Sequence, residues 1–471
     1  MDWVLPLGWV VLAAGGILLA AFAVICLLER EWRAAAVGAA VGTAAAGVLV
    51  AALVIDHPAR PWLVLGLLLA GLGGLLAVGL PLGPGPAGTR VLEPPARIDE
   101  RDAVFHRFYR LAPGTAEYAA YYRGRPELEA FDREVRRLPG LGEPGSRSYH
   151  RASSAYLHAL FALCEQVGQL ADRPAAGLEA EPVPLGPREA SRRLAGLARQ
   201  LGADRVGCTR LEPAWVYSHV GRGPGPWGSP IALEHGFALV IGVEMDWELV
   251  RHAPGTAQTT ATAQAYLEAG TAASVLARVI QLWGYRARAH LDGNYRVLCV
   301  PLAERAGLGE TGRHGLLIAP GCGPRLRLAV VTTDLELEAD VPVRLGVQSF
   351  CRRCKKCAVN CPSGAVDAGD KALHNGVEKW RTERDRCYRL WRKLGTDCGL
   401  CISVCPFAKP ATAPHQLVRW AIAHNPIARR VALWADDLLY GRRPRNRAGL
   451  PAWHAEPAEP GARVDRRQQS G

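Results

Sequence analysis

This sequence of 471 residues has little charge at its start and lacks the common nucleic-acid-binding motifs. No Lys or Arg precedes Arg30, so the basic segment of a cleaved secretory signal is missing, as is a twin-arginine pair before the first apolar stretch. No zinc-finger or basic-zipper pattern occurs, and the Arg residues are scattered. The net charge of +12 therefore does not predict a nucleic-acid partner.

Cysteine is sparse outside one segment. Eight of the 13 Cys lie between residues 351 and 405, which excludes the evenly cross-linked scaffold of a small secreted protein. The other five lack neighbours at ligand spacing and are expected to be ordinary buried residues: Cys26, Cys164, Cys208, Cys299 and Cys322. With 49% apolar and 21% charged residues the chain is not disordered, and its length predicts two or three domains.

Three uncharged apolar stretches open the chain: Trp3–Leu28, Ala34–Ile55 and Trp62–Leu82. Each is long enough to cross a hydrocarbon core of about 30 Å as a helix. The alternative, three helices of a soluble bundle, would require a polar face at the helical period, and none is present. The sequence therefore predicts three transmembrane helices and the lipid bilayer as a partner.

The basic residues beside these stretches predict their orientation. They follow the first and third stretches (Arg30, Arg33, Arg90, Arg97 and Arg101), whereas the second loop has only Arg60. Because cytoplasmic loops carry the excess of Lys and Arg, the N-terminus is expected outside and the rest of the chain in the cytoplasm. We therefore expect a multi-pass protein of the cell membrane whose catalytic domain faces the cytoplasm, a reducing compartment that suits clustered thiols.

The remainder divides at Pro- and Gly-rich breaks near Gly83–Gly88 and Glu179–Pro187. After the second break, Ala190, Leu194 and Ala198 share a helix face. Strands are expected at 205–208, 237–245, 295–300 and 326–332, with a long helix over 259–283. This alternation predicts an α/β domain. The predicted units are 1–82 (transmembrane helices), 83–184 (linker and N-terminal helices), 185–345 (α/β domain), 346–412 (cysteine-rich domain), 413–453 (C-terminal helical extension) and 454–471 (flexible tail).

A glycine motif in the α/β domain needs separate consideration. The stretch from Gly307 to Gly312 has the G-x-G-x-x-G pattern of dinucleotide-binding proteins. That fingerprint must open a helix, yet Gly315, Pro320 and Gly321 leave no room for one. A loop lying against a ligand is the preferred interpretation, with Gly307, Gly309, Gly312 and His314 as candidate cofactor-binding residues.

The cysteine spacing is the strongest chemical signal. Cys351-x2-Cys354-x2-Cys357-x3-Cys361-Pro has the bacterial ferredoxin spacing, and Cys387, Cys398, Cys401 and Cys405 follow. The pattern predicts two 4Fe-4S clusters with crossed ligation. The first cluster set is Cys351, Cys354, Cys357 and Cys405, and the second cluster set is Cys361, Cys387, Cys398 and Cys401. A pair of zinc sites is the alternative, but structural zinc prefers two pairs of ligands separated by a longer spacer.

The residues around these motifs resemble the corrinoid- and iron-sulfur-dependent reductive dehalogenases. The matching stretches include AGLARQLGADRV (195–206), GYRARAH (284–290), AGLGETGRHGLL (306–317), GPRLRLAVVTTDLEL (323–337) and CGLCISVCPFAKP (398–410). The resemblance covers about residues 185–450. It implies a nitroreductase-like corrinoid-binding domain joined to a ferredoxin-like domain. The fused transmembrane helices resemble the membrane-integral branch of the family, and depart from its more usual exported enzymes.

The resemblance also implies a chemistry. The clusters would deliver single electrons to the cobalt of a corrinoid (cobalamin), and halide would leave a small organohalide substrate. Tyr266 matches the family's proton donor, and its cationic partner would be Arg327 or, as an alternative, Arg325. Asn294 is a further candidate polar contact. No Asp-x-His-x-x-Gly motif supplies a lower cobalt ligand, as is usual in the family. The electron donor, a quinol or a cytoplasmic ferredoxin-type protein, stays unidentified.

Two other functions are compatible with these motifs. Epoxyqueuosine reductases share both cofactors, but they typically use an Asp as the acid, and membrane spans are not expected in them. A non-enzymatic electron-transfer subunit would carry the clusters without a corrinoid.

Overall fold

The structure is a computed structural model that describes residues 3–85, 88–171, 181–444, 450–451 and 453–454. Of the predicted tail, only His454 lies within these residues, and it is buried. Parts of both predicted breaks, residues 86–87 and 179–180, also lie outside the described residues.

The three apolar stretches form helices. They are α1 (Val4–Leu28), α2 (Trp32–Val54) and α3 (Arg60–Gly79), each long and apolar enough to cross a membrane. Most of their side chains point away from protein: Leu18 and Leu75 are 70% and 74% exposed. The Ala-rich α2 packs closely on α1, because a Cβ at Gly38 would lie 2.4 Å from the Phe22 ring. Small residues permit such close helix contact in membranes.

A helical region follows these three helices. Its elements are β1 (Arg90–Val91), α4 (Val104–Arg110), α5 (Ala116–Tyr122), α6 (Pro126–Arg136) and α7 (Arg151–Leu170). The buried Arg107 guanidinium on α4 donates to Asp132 on α6 at 2.7 and 3.1 Å and also pairs with Asp385 of the cysteine-rich domain. These paired charges attach the helical region to the cysteine-rich domain.

The α/β domain is built on a four-stranded sheet. Its elements are α8 (Pro187–Gln200), β2 (Arg205–Arg210), β3 (Phe237–Glu244), α9 (Trp247–Val250), α10 (Thr256–Leu282), β4 (Ala287–His290), α11 (Cys299–Arg305), β5 (Glu310–Thr311), β6 (Leu317–Ile318) and β7 (Leu326–Thr333). The sheet order is β2-β3-β7-β4, and every pairing is antiparallel.

The sheet is covered on both faces. Alternate residues of β3 point to opposite sides: Leu239 and Ile241 pack with α8 and α10, while Ala238 and Val240 pack with α11 and its surrounding loops. The period of two in a strand produces this division. On α10, small residues such as Ala265 allow the helix to lie close to the sheet, and α7 packs against α10.

One predicted strand is wrong. Residues 295–300 were expected to form a strand, but the fourth strand is β4, and Cys299 begins the helix α11. Short apolar runs do not distinguish strand from helix by period alone. Pro301 is tolerated because it lies in the first turn of α11, where a backbone N–H has no helical partner.

The cysteine-rich domain and a helical hairpin complete the fold. The domain contains α12 (Val347–Cys354), α13 (Lys356–Val359), β8 (Ala372–His374), β9 (Val377–Lys379), α14 (Arg384–Leu394) and α15 (Leu400–Ser403). The hairpin consists of α16 (Ala413–His424) and α17 (Pro426–Tyr440). Strand β1 pairs with β9, so the segment that follows the apolar helices is part of this domain's small sheet.

Candidate active site and cluster domain

A polar stripe on the Ala-rich helix α10 marks the candidate active site. Gln258, Thr262 and Tyr266 follow each other at intervals of four residues and therefore share one helix face. The stripe faces β7 and the cysteine-rich domain, since Thr262 contacts Arg327 on β7 and Asp397 beside the second cluster set. The candidate site thus lies where α10, β7 and the cysteine-rich domain meet.

Arg327 lies over the ring of Tyr266. Its guanidinium carbon is 5.3 Å from the ring centroid, a distance at which a cation is attracted to an aromatic face. Its side chain is 10% exposed, so little water screens its charge. The predicted tyrosine and one of its two candidate cationic partners are therefore neighbours.

A buried carboxylate holds Arg327 in place. Asp397 accepts hydrogen bonds from Thr262 Oγ1 at 2.9 Å, from Gln258 Nε2 at 3.2 Å and from Thr259 Oγ1. Its Oδ2 lies 3.8 Å from a guanidinium nitrogen of Arg327, which also donates to Thr262 at 3.0 Å. Because every partner is buried, this network fixes the arginine relative to the helix.

The surroundings of Tyr266 keep its phenol protonated. Burial raises the pKa of Tyr266 to about 12, and the nearby charge of Arg327 lowers the pKa in part by favouring the tyrosinate. The neutral form therefore dominates near pH 7. After a proton has left, Arg327 is the group that compensates the negative charge.

Several side chains deep in the protein retain accessible surface. Burial raises the pKa values of Tyr217, Tyr266, Tyr295 and Cys299, yet each is only partly covered by its neighbours. Arg222, on a glycine-rich loop, shares this environment. The side chains that combine these two properties are thus mostly aromatic and basic, and the carboxylate of Asp292 lies among them, 3.4 Å from the Arg222 guanidinium.

The other predicted catalytic residues have different surroundings. Arg325 donates to the backbone oxygens of Met245 and Ala408 at 2.6 and 2.5 Å and pairs with Glu244 at 2.6 Å. It joins the end of β3 to the cysteine-rich domain, while Arg327 is the arginine over Tyr266. The Asn294 amide donates to the Gly168 backbone oxygen of α7 at 2.9 Å and accepts from Arg288 at 2.7 Å.

The glycine loop lies against the protein's own backbone. A Cβ at Gly309 would come within 2.3 Å of the Ile318 carbonyl oxygen, and one at Gly307 within 2.6 Å of the Val341 carbonyl oxygen. The chain forms the β5–β6 hairpin here and no helix, as the sequence predicts. Contact between Gly307, Gly309 or Gly312 and a cofactor stays a prediction.

His314, the fourth residue predicted on this loop, has an unsatisfied nitrogen. Its Nδ1 accepts from the Leu316 amide at 3.1 Å, so the proton lies on Nε2. Nε2 is buried and has no hydrogen-bond partner within the described part of the chain. Leaving a buried donor unpaired is costly. A bound group that offers an acceptor fits this position.

The predicted cluster ligands from distant parts of the chain are neighbours in the fold. Besides burial, Cys351 and Cys354 raise the pKa of Cys405, although that thiol lies far along the chain. Likewise, burial has the largest effect in raising the pKa of Cys387, and the nearby thiols of Cys398 and Cys361 raise it further. Thiols that influence each other in this way lie close together. These influences fall within the first and second cluster sets, while burial and also Cys401 of the second set raise the pKa of Cys357 in the first, so the two sets adjoin. Ligation itself stays a prediction.

The donor set is suitable for iron-sulfur clusters. Within the described ranges, no three His, Cys, Asp or Glu side chains converge closely enough to hold a single metal ion. A zinc ion draws four ligands onto one atom, whereas a four-iron cluster spreads its thiolates over separate irons. The second cluster set also borders the candidate active site. Burial raises the pKa of Cys401, and the charge of Arg327 lies close enough to that thiol to lower the pKa in part.

Sequence reasoning missed part of this site. Asp397 directly precedes Cys398, and the cysteine motif was interpreted as cluster ligands without considering this carboxylate. Tyr217 and Tyr295 do not belong to any periodic pattern. The hydroxyl and amide side chains at 258, 259 and 262 in an otherwise Ala-rich helix were a usable signal. Buried polar side chains on an apolar helix require partners, and here the partner is one carboxylate.

Comparisons with known proteins define the class. Residues 350–409 match the 4Fe-4S dicluster domain family. The tetrachloroethene reductive dehalogenase of Dehalobacter restrictus is 34% identical over 280 residues, which are 50% of this chain and 50% of that protein. The chain therefore spans about half the length of the curated relatives it matches.

Solved structures give the same class. The catabolic reductive dehalogenase NpRdhA in complex with 3-bromo-4-hydroxybenzoic acid has a TM-score of 0.62 at 26% identity, covering 76% of this chain and 49% of that chain. A reductive dehalogenase structure that suggests a mechanism for B12-dependent dehalogenation has a TM-score of 0.59 at 25% identity, with 76% and 49% covered. The resemblance to reductive dehalogenases is thus confirmed in sequence and in structure.

Proposed function

We propose that this protein is a membrane-anchored reductive dehalogenase-like oxidoreductase that replaces halide in an organohalide by hydrogen. The observation that carries the proposal is the Arg327 guanidinium over the buried Tyr266 ring, beside the second cluster set. A proton donor and a compensating cation in an enclosed space are what a reductive removal of halide requires of the protein.

The proposal includes a corrinoid in an internal cavity lined by the partly covered side chains around Tyr266. Such a cofactor presents a large apolar ring and acidic and amide groups, and the aromatic walls at Tyr217 and Tyr295 and the charge of Arg222 match these features. The unpaired Nε2 of His314 offers one further donor. When bound, the corrinoid supplies the reduced metal centre that cleaves the carbon-halogen bond. The protein residues around it bind it, exclude water and deliver the proton.

Tyr266 is the proposed acid. Its phenol is neutral at working pH, and within the described residues no protein group is hydrogen-bonded to its oxygen, which leaves the O–H available to a substrate. As the proton leaves, the charge of Arg327 stabilises the tyrosinate. Asp397 and Thr262 keep the guanidinium at that position, so the acid is restored to the same geometry in each cycle.

The proposed electron route runs from the membrane side to the cavity. Lys356, between two ligands of the first cluster set, pairs with Asp436 on α17, the helix that packs on α2 and α3. The second cluster set lies next to Arg327 and the cavity. Electrons entering near the membrane, from a quinol or a cytoplasmic ferredoxin-type donor, would therefore pass the first cluster before the second.

The substrate proposal stays at the level of a small organohalide. Relatives are named for tetrachloroethene, and one related structure holds a brominated hydroxybenzoic acid. The two compounds differ in size and charge, so we propose the substrate class, small organohalides, and no particular compound. The length and composition of the three apolar helices support anchoring in the cell membrane, and the Arg distribution supports a catalytic domain that faces the cytoplasm.

The test uses the full-length protein purified anaerobically in detergent. We expect about eight irons and one cobalt per chain when corrinoid is supplied, and halide release from an organohalide in the presence of a low-potential reductant. Irons without cobalt binding would favour an electron-transfer subunit. Cobalt binding with activity on an epoxyqueuosine-containing RNA and none on organohalides would favour the other corrinoid enzyme class.

A further inference from the structure

The helical hairpin α16–α17 carries an outward apolar face whose large side chains are 40–66% exposed. On α17, Ile427, Val431 and Trp434 lie on one side of the helix, while the buried Ala428 and Asp436 lie on the other. On α16, Leu417 and Trp420 continue this face. Leu417 and Trp434 are 66% and 64% exposed, which is unusual for large apolar side chains on adjacent helices of a folded domain.

The hairpin lies across one end of the three apolar helices. At its turn, the Asn425 amide donates to the backbone oxygens of Ala77 and Leu80 at 2.8 Å each, and so satisfies the last carbonyls of α3. At its outer ends, Glu29 in the α1–α2 turn accepts from Thr412 at 2.8 Å, and Arg33 donates to the Leu438 backbone oxygen at 3.1 Å. The hairpin is thus attached to the α1–α2 turn and to the end of α3 together.

These attachments fix the depth of the hairpin. The α1–α2 turn and the end of α3 are the points at which the apolar helices leave the hydrocarbon, so a hairpin bonded to both lies at the level of the lipid headgroups. Trp is enriched at that level because its ring is apolar and its N–H is polar. Arg430, also on the exposed side of α17, can extend to anionic headgroups.

We infer that α16–α17 is a monotopic membrane-binding surface whose occupant is the lipid bilayer, with Leu417, Trp420, Ile427, Val431 and Trp434 inserted among the headgroups and upper acyl chains. This inference rests on the proposed membrane anchoring by α1–α3, whose lipid-facing surface it continues. Lys356 and Lys409 pair with Asp436 on the opposite side of α17. The surface would therefore hold the first cluster set at the membrane face, where a lipid-soluble donor is accessible.

The test places the photoreactive residue benzoylphenylalanine at single positions of the full-length protein in phosphatidylethanolamine–phosphatidylglycerol nanodiscs. Positions 434 and 417 probe the hairpin, and position 18 on α1 is the positive control for the spans. Position 341 is the matched exposed control, because Val341 is 81% exposed but belongs to the α/β domain. After illumination, adducts are identified by mass spectrometry.

We expect lipid adducts at 434 and 417 comparable to those at 18, and none at 341. Lipid adducts at 18 with none at 434 and 417 would overturn the inference while leaving the anchoring intact. Adducts at 434 to a second copy of the chain or to another protein would also overturn it. No lipid adduct at 18 would refute the anchoring proposal itself, and the inference with it.

Discussion

Replacing Tyr266 with Phe removes the phenol oxygen and its proton and leaves the ring in place. The Arg327 guanidinium 5.3 Å from the ring centroid keeps an aromatic partner in the variant. Because no hydrogen bond between the phenol and another described residue is broken, we expect folding, both clusters and corrinoid binding to survive.

The loss should appear in the chemical step. A positioned general acid contributes about 10²- to 10⁴-fold to a rate, which corresponds to about 2.7–5.5 kcal/mol of the activation barrier. We expect turnover of the Tyr266→Phe variant to fall within that range, with little change in KM. In the native enzyme, a phenol pKa of about 12 predicts that activity shows no loss from tyrosine ionisation between roughly pH 6 and 9.

The assay is halide release by the anaerobic holoenzyme, with cobalt content and the resonance spectra of both clusters measured on the same samples. Tyr285→Phe is the matched control: its hydroxyl donates to the Val183 backbone oxygen at 2.9 Å, away from the cavity, so turnover should be unchanged. Near-normal turnover of Tyr266→Phe would contradict the assignment. So would a loss that simply follows a failure to bind corrinoid.

Four further predictions concern other parts of the molecule. Arg327→Ala should slow turnover because the tyrosinate loses its compensating charge, and Arg327→Lys should restore part of the rate; equal rates in the two variants would argue against a charge effect. Cys405→Ser should alter the resonance spectrum of the first cluster, and a change confined to the second would contradict crossed ligation. Arg107→Ala should lower the free energy of unfolding by about 3–5 kcal/mol, seen as a lower Tm, because Asp132 would remain buried without its cation, whereas the exposed Arg133→Ala should change Tm little. A reporter active only outside the cell and fused after residue 471 should stay inactive, and an active one would reverse the proposed orientation.

Local patterns in the sequence predicted the elements with strong periodicity or distinctive chemistry. The three apolar helices and the strand β3 are present where uninterrupted apolar runs of suitable length placed them, and the helix face at Ala190, Leu194 and Ala198 is present where periodicity placed it. Cysteine spacing identified the cluster domain that the 4Fe-4S family match covers. These features are determined by residues close in sequence, and period and ligand spacing report them directly.

Features that depend on distant residues could not be read in the same way. The sequence left Arg325 and Arg327 as alternatives, and only the sheet and domain contacts placed Arg327 over Tyr266 and Arg325 against Glu244. The expected strand at 295–300 failed for a related reason. An apolar run of that length is compatible with a strand or with a helix. The pairing of β4 with β7 decided which segment became the edge strand.

The sequence by itself determined what kinds of groups this protein has: three lipid-length helices, two sets of thiols and a tyrosine on a small-residue helix. Tertiary structure alone decided which of these groups meet. Asp397 joins Thr262 and Arg327 across more than sixty residues of intervening chain, and Asn425 joins α16–α17 to the end of α3. Such contacts depend on the packing of whole elements, whose free energy is distributed over many buried side chains and is not encoded in any single short segment.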